Sequence, residues 1–248
     1  MHQNDLPLGL DALSWVDVAD RIARDPRIIV PIGALDQHGA HLPLGTNVLI
    51  ARSLALDLSR EFGVLRAPTF YYGTNSPVSN EYVGTTGITA KTLHLALNEL
   101  LAHWEDRGIG EFIFITAHRY EPHVEAIAAL IPRRARMRVV QVWDTPVDDL
   151  LDQQDTPLHA DEAETSVMLY LYPELVRMDR AHDCDVTPKQ FRKYLDGRLK
   201  NPLVEGAGSF GRPSAASAEK GRAIYQRFLN TIGDAIFRTP ADTASDSL

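Results

Sequence analysis

Asp36, His38 and His41 fall within six residues of one another, in the segment Pro-Ile-Gly-Ala-Leu-Asp-Gln-His-Gly-Ala-His-Leu-Pro-Leu-Gly-Thr-Asn at positions 31–47. A carboxylate and an imidazole two residues apart form a donor set that divalent metals of the zinc type accept. The segment directly follows the apolar run Ile28-Ile29-Val30, so the ligand types sit just past a predicted strand. Further along, His159-Ala-Asp-Glu-Ala-Glu164-Thr-Ser brings a second imidazole and carboxylate together. If a helix opens there, His159 lies just outside it and Glu164 one turn inside, and both reach one crevice. A carboxylate beside a metal or its water, with an imidazole to move protons, suits amide hydrolysis. His159 and Glu164 are therefore the catalytic candidates.

These side chains need a scaffold, and apolar periodicity supplies one. Strand-like runs cover residues 28–32, 64–72, 111–116 and 137–143, and helical patterns cover 47–62, about 89–107, 122–130, 161–172 and 217–237. Such alternation predicts a mainly parallel sheet between helices, joined by right-handed crossovers. Ligands bind outside the carboxyl ends of such strands. Asp36, His38 and His41 follow the first strand, Tyr72 to Ser76 the second, His118 to Glu121 the third, and Trp143 and Asp144 the fourth. A parallel sheet would gather them on one rim. With neither an internal repeat nor a long linker in view, a single domain over residues 1–238 is expected, with 239–248 a disordered tail.

Composition narrows the class. The chain has 248 residues, 23% charged and 44% hydrophobic, as is ordinary for a globular protein. Its net charge of -8 argues against a nucleic-acid partner, since phosphate binding needs clustered cations. One cysteine, Cys184, excludes an internal disulfide framework and fits a reducing, cytoplasmic setting. The longest apolar runs fall short of a membrane span and the polar N-terminus lacks a signal-peptide core, so neither membrane nor export is expected.

The same residues carry a family likeness. Segment 31–47 resembles the first motif of the creatininase (creatinine amidohydrolase) family, approximately Glu-x-His-Gly-x-His-Leu-Pro-Leu-x-Thr-Asp. Tyr72-Gly73-x-x-Ser76 with Gly84-Thr85 is similar to a second family loop. His159-Ala160 with Glu164-Thr165-Ser166 is similar to a helix-opening motif, and the run from Gly211 through Glu219-Lys220-Gly221 to a C-terminal signature. The likeness extends from about Leu13 to Phe237.

That resemblance implies an α/β fold, a three-layer α/β/α sandwich with a mainly parallel central sheet, often assembled as a homohexamer. It implies a hydrolase acting on a C–N bond of a small cyclic or linear amide through a metal-activated water. The metal would be zinc, manganese or iron, one or two per subunit. Carried over by position, the metal ligands are Asp36, His38, Asn47, His118 and Glu164, and His159 is the proton-shuttling imidazole. Ser76 falls at a substrate-contacting position, with Arg119, Tyr120, Glu121 and Trp143 as further substrate-side candidates.

The departures matter equally. Asp36 stands where the family has glutamate, and Asn47 where it has a bridging aspartate. A neutral amide offers one good oxygen donor and no charge. The glycine-rich loop after the third strand has become Thr116-Ala-His-Arg-Tyr-Glu121, which disfavours creatinine itself as substrate. Arg119 would oppose a dimetal site unless it meets a carboxylate such as Glu121 or Asp36. Two alternatives stay open: a member that has lost one or both metals and binds a small molecule or partner, and a metal-free reaction in which Arg119 grips an anionic substrate.

Overall fold

A computed structural model describes residues 8–199 and 207–238; the tail expected at 239–248 lies outside the described residues. Four parallel strands form the sheet in the order β2-β1-β3-β4: β1 (Arg27–Ile32), β2 (Leu65–Arg66), β3 (Glu111–Thr116) and β4 (Arg136–Gln141). β1 and β3 pair in full register from Arg27↔Glu111 to Ile32↔Thr116, which levels their carboxyl ends.

β1 and β3 are apolar on both faces because both faces are covered. Ile29, Ile113 and Ile115 point into one core, packed against α2 (Thr46–Phe62), α5 (Glu162–Leu171) and α7 (Ala218–Ile232). Ile28, Val30, Phe112 and Phe114 point into the other, with α3 (Ala90–Glu105), α4 (Glu121–Ala128) and the half-buried side of α1 (Trp15–Arg24). The period-two alternation thus feeds two cores, and the architecture is the expected three-layer α/β/α sandwich.

Three elements differ from expectation. The second strand, read as 64–72, shrinks to Leu65–Arg66. Pro68 has no N–H to give, and contact with β1 resumes only where Phe70 donates to the Pro31 carbonyl at 2.9 Å. Two helices were not anticipated, α1 and α6 (Pro188–Leu195). α6 brings Phe191 and Tyr194 into a third, small cluster with Val78 and Phe210, beside the carboxyl ends of the strands. No helix among the described residues is long and apolar enough to cross a membrane.

Candidate active site

The loop after β1 turns back so that Asp36 donates its N–H to the Leu44 carbonyl, 2.9 Å away. α2 then starts at Thr46 and places Asn47 in its first turn. β3 delivers His118, and the turn before α5 delivers His159 and Glu164. Asp36, His38, Asn47, His118, His159 and Glu164 are all buried and converge at the carboxyl rim. Asn47, His118, His159 and Glu164 line a cavity of about 10 Å³, room for roughly one water. Leu158, Phe191, Tyr194 and Leu195 help to close it.

Backbone carbonyls fix the proton on two of these imidazoles. His38 Nδ1 lies 2.9 Å from the Asp36 carbonyl, and His118 Nε2 lies 2.9 Å from the Thr74 carbonyl. A carbonyl only accepts, so each of these nitrogens carries the hydrogen. Burial lowers the pKa of both rings, that of His118 to about 4, so both are neutral near pH 7. His38 Nε2 and His118 Nδ1 are left without hydrogens, each able only to accept.

Between them stands Asn47, with Oδ1 3.2 Å from His38 Nε2 and Nδ2 2.8 Å from His118 Nδ1. Its amide can donate to His118, but its oxygen then faces the lone pair of His38. Exchanging the amide oxygen and nitrogen only moves the mismatch to His118. Once deprotonated, Glu164 adds another acceptor 3.8 Å from His38 Nε2, and buried Asp36 Oδ1 has no hydrogen-bond partner. Four kinds of electron-pair donor thus meet with too few protons among them. This donor set fits a divalent cation, and His38, His159 and Glu164 offer ligand atoms within 4.8 Å of one another.

The carboxyls are tuned accordingly. Burial raises Asp36 to about 6, opposed by His38. Burial and the neighbouring Asp161 raise Glu164 to about 8, opposed by the Ala160 N–H at 2.6 Å and by Arg119. Ala160 takes a left-handed conformation, φ 51°, to aim that N–H at the carboxylate. In metal-free protein the folded state therefore keeps a proton on Glu164 that the unfolded chain has lost. Its stability contribution is full below 4.5 and is lost as pH rises to about 8. A cation must displace the same proton, so metal affinity should rise with pH up to about 8 and binding should release protons. Calorimetry in two buffers of different ionisation enthalpy reads that count; no proton released near neutral pH would refute it.

Other expected residues take distinct places. His41 turns away from the cluster, its Nε2 2.8 Å from Thr165 Oγ1, and so pins α5 to the first loop. Ser76 is buried with its Oγ unpartnered, as are Thr74 Oγ1 and Asn75 Oδ1 in the same loop. Tyr120 lines the cavity. Trp143 does not: it sits in the core, edge-on to Phe228, with Nε1 donating to the Ala117 carbonyl at 3.0 Å. Glu121 faces outward and pairs with Arg192 at 2.9 Å.

Arg119 meets neither Glu121 nor Asp36. Its Nη1 donates to the carbonyls of Pro157 (2.8 Å) and Leu158 (3.2 Å), and its guanidinium lies 5.1 Å from the centre of the Phe191 ring. It fastens the strand of chain that ends in His159 to the cover formed by α6. Its positive charge also bears on Glu164.

Tyr194 was not anticipated. Its hydroxyl lies 3.1 Å from His159 Nε2 and 3.5 Å from Asp36 Oδ2, and His159 Nε2 also lies 2.9 Å from the Gln37 carbonyl. With the hydrogen on His159 Nε2, the ring donates to the Gln37 carbonyl and the phenol O–H donates to Asp36, while the Gln37 side-chain nitrogen also stands 3.0 Å from the same imidazole nitrogen. The sequence signal for it was the capping box Thr187…Gln190 that opens α6.

Known proteins resemble this chain in sequence and in fold. A family model described as creatininase (creatinine amidohydrolase) matches residues 11–236. The creatinine amidohydrolase of Pseudomonas putida is 27% identical over 247 residues, spanning 90% of this chain and 94% of its own length. The mycofactocin precursor peptide peptidase of Mycolicibacterium smegmatis is 29% identical over 229 residues, spanning 88% and 87%. A mutant creatininase described as of Zn-Zn type superposes with a TM-score of 0.77 at 25% identity, covering 92% of this chain and 96% of that one.

Proposed function

This chain belongs to the creatininase family, and we propose that it is a metal-dependent amidohydrolase holding one divalent cation and cleaving the C–N bond of a small amide. One observation carries the reading: the unprotonated His38 Nε2 and His118 Nδ1, which a single Asn47 amide cannot both satisfy, converge with Asn47 Oδ1 and Glu164, beside an unpartnered Asp36 oxygen. His38, His118, Asp36 and Glu164 would hold the cation, with the Asn47 oxygen as a neutral fifth donor. A bound zinc, manganese or iron supplies Lewis acidity and lowers the pKa of its water to about 7.

The chain's own groups supply the rest. Burial keeps His159 neutral, so it can take a proton from the attacking water and return one to the leaving nitrogen. Tyr194 and the Gln37 carbonyl hold its Nε2 edge, which fixes the ring's direction. Glu164 is kept in place by the Ala160 N–H. With about 10 Å³ inside, the amide enters only when Phe191, Tyr194 and Leu195 of α6 part from the rim. Asn47 and Arg119 limit the negative charge available, which favours one cation over two. A soluble cytoplasmic homo-oligomer, hexameric by family resemblance, completes it, and sedimentation velocity checks that assembly.

Elemental analysis tests the core of the proposal. Purified protein should carry about one equivalent of zinc, manganese or iron, and Asn47→Asp should raise this towards two by restoring a charged bridging oxygen. Metal-free protein that cannot be reconstituted would overturn the assignment. With metal bound, release of amine from a panel of small cyclic and linear amides then finds the substrate class.

A further inference from the structure

A second cavity, of about 490 Å³, lies on the flank of the sandwich, and none of its lining residues lines the metal site. It opens between the first half of α2, the end of β2 and the chain just beyond α5. Arg52 and Arg66 line it together with Ser53, Thr69, Tyr71 and Tyr172.

The two guanidiniums are poorly matched by the protein itself. Among the described residues no carboxylate lies within 4.0 Å of Arg52; it donates from Nη2 to the Tyr172 hydroxyl at 3.2 Å, and its guanidinium lies 5.9 Å from that ring's centre. Among the described residues Arg66 has one acidic neighbour, Asp11, at 4.0 Å, whose own side chain is 56% exposed. Arg66 Nε is buried and has no hydrogen-bond partner. Ser53 Oγ lies 2.8 Å from the Tyr172 hydroxyl, so the hollow also presents neutral hydroxyl groups in a connected row.

Two planar guanidiniums with adjacent hydroxyls match an oxyanion, which accepts from each fork in bidentate fashion. A chain of net charge -8 repels anions at long range, so a hollow with two cations and one solvated carboxylate is a local reversal. We propose that this hollow is an anion site, separate from the metal centre, that takes a small molecule carrying a phosphate or carboxylate group. The guanidiniums of Arg52 and Arg66, which line the hollow, are the donors from which such an anion accepts. Asp11 stands at the rim and competes with the ligand for the same guanidinium.

Calorimetric titration of the metal-loaded protein at constant ionic strength tests the site, with inorganic phosphate in one arm and malonate in the other. At least one of the two should bind, and which one binds identifies the anion. Arg52→Gln and Arg66→Gln should each weaken that binding at least about 10-fold, and Asp11→Asn should strengthen it several-fold. Phosphate also coordinates metals, so His38→Ala serves as the control and should leave the binding intact. Thermal melts confirm that the arginine variants fold; should either fail, Arg→Lys at the same position keeps the charge without the fork and should give intermediate affinity. The proposal falls if neither anion binds, if both arginine variants bind as tightly as the parent, or if His38→Ala abolishes binding. It also falls if the arginine variants break an oligomer apart without affecting anion binding, because the hollow would then belong to a subunit interface.

Discussion

His38→Ala should leave a protein that folds but retains essentially no divalent metal after gel filtration. His38 is fully buried, its proton is committed to the Asp36 carbonyl, and its Nε2 is the donor nearest to both Asn47 Oδ1 and Glu164 Oε2. Loss of a residue that merely supports a metal ligand costs about 10–100-fold in affinity. Removal of a donor at the centre should exceed that, by more than about 100-fold, with amide hydrolysis lost in parallel. Competition with a chelating dye measures the affinity and elemental analysis the occupancy. Parental occupancy in the variant would show that the cation is held elsewhere.

The second large effect concerns Gly221, which lines no part of the site cavity. A Cβ built there would stand 1.8 Å from the Ser166 carbonyl oxygen and 2.3 Å from its carbon, both backbone atoms of α5. No rotamer change relieves that contact, so α7 must move away from α5 along the most intimate helix pair in the molecule. Gly221→Ala should cost about 3 kcal/mol or more and lower Tm by about 10 °C, read by calorimetry or denaturant unfolding. Parental stability would mean that the helices slide apart freely. The neighbouring Lys220 pairs with Asp152 at 2.8 Å and with fully buried Glu162, while Ser166 Oγ accepts the Ser217 N–H that starts the segment. The Glu-Lys-Gly signature is therefore a clamp. It seats α7 on the helix that carries Glu164.

Much of this was legible because the physics involved is local. β1 and β3 announce themselves as continuous apolar runs, which only a doubly covered strand tolerates. The first loop packs its ligand types into so few residues that their proximity follows from chain geometry alone. Rim convergence follows from strand direction. By contrast, the 64–72 run is mostly apolar yet mostly unpaired, because Pro68 interrupts hydrogen bonding where hydrophobicity gives no warning. α6 escaped notice because eight largely polar residues show too short a period to register, although its capping box was visible. Its loss concealed Tyr194.

At the site, residue types were readable and orientations were not. Trp143 follows a strand end exactly as a site residue would, but its indole finds a carbonyl inside the core. His41 shares a loop with His38 and faces the other way, towards Thr165. Arg119 was expected to need a carboxylate and instead found two backbone carbonyls and an aromatic face, partners that leave no trace in sequence.

The amide of Asn47 between two proton-poor imidazoles has a consequence for the folding landscape. Most contacts in a native chain agree with one another, and disagreement concentrates where function requires it. Here the fold forces like-polarity atoms to within 3.2 Å and shields them from the water that would soften the conflict. The rim of the sheet is thus a point of local frustration. On the proposed one-cation reading, a cation would resolve it: the same atoms that make the empty chain energetically inconsistent would make the loaded one coherent, and metal supply would become a determinant of how long each molecule survives.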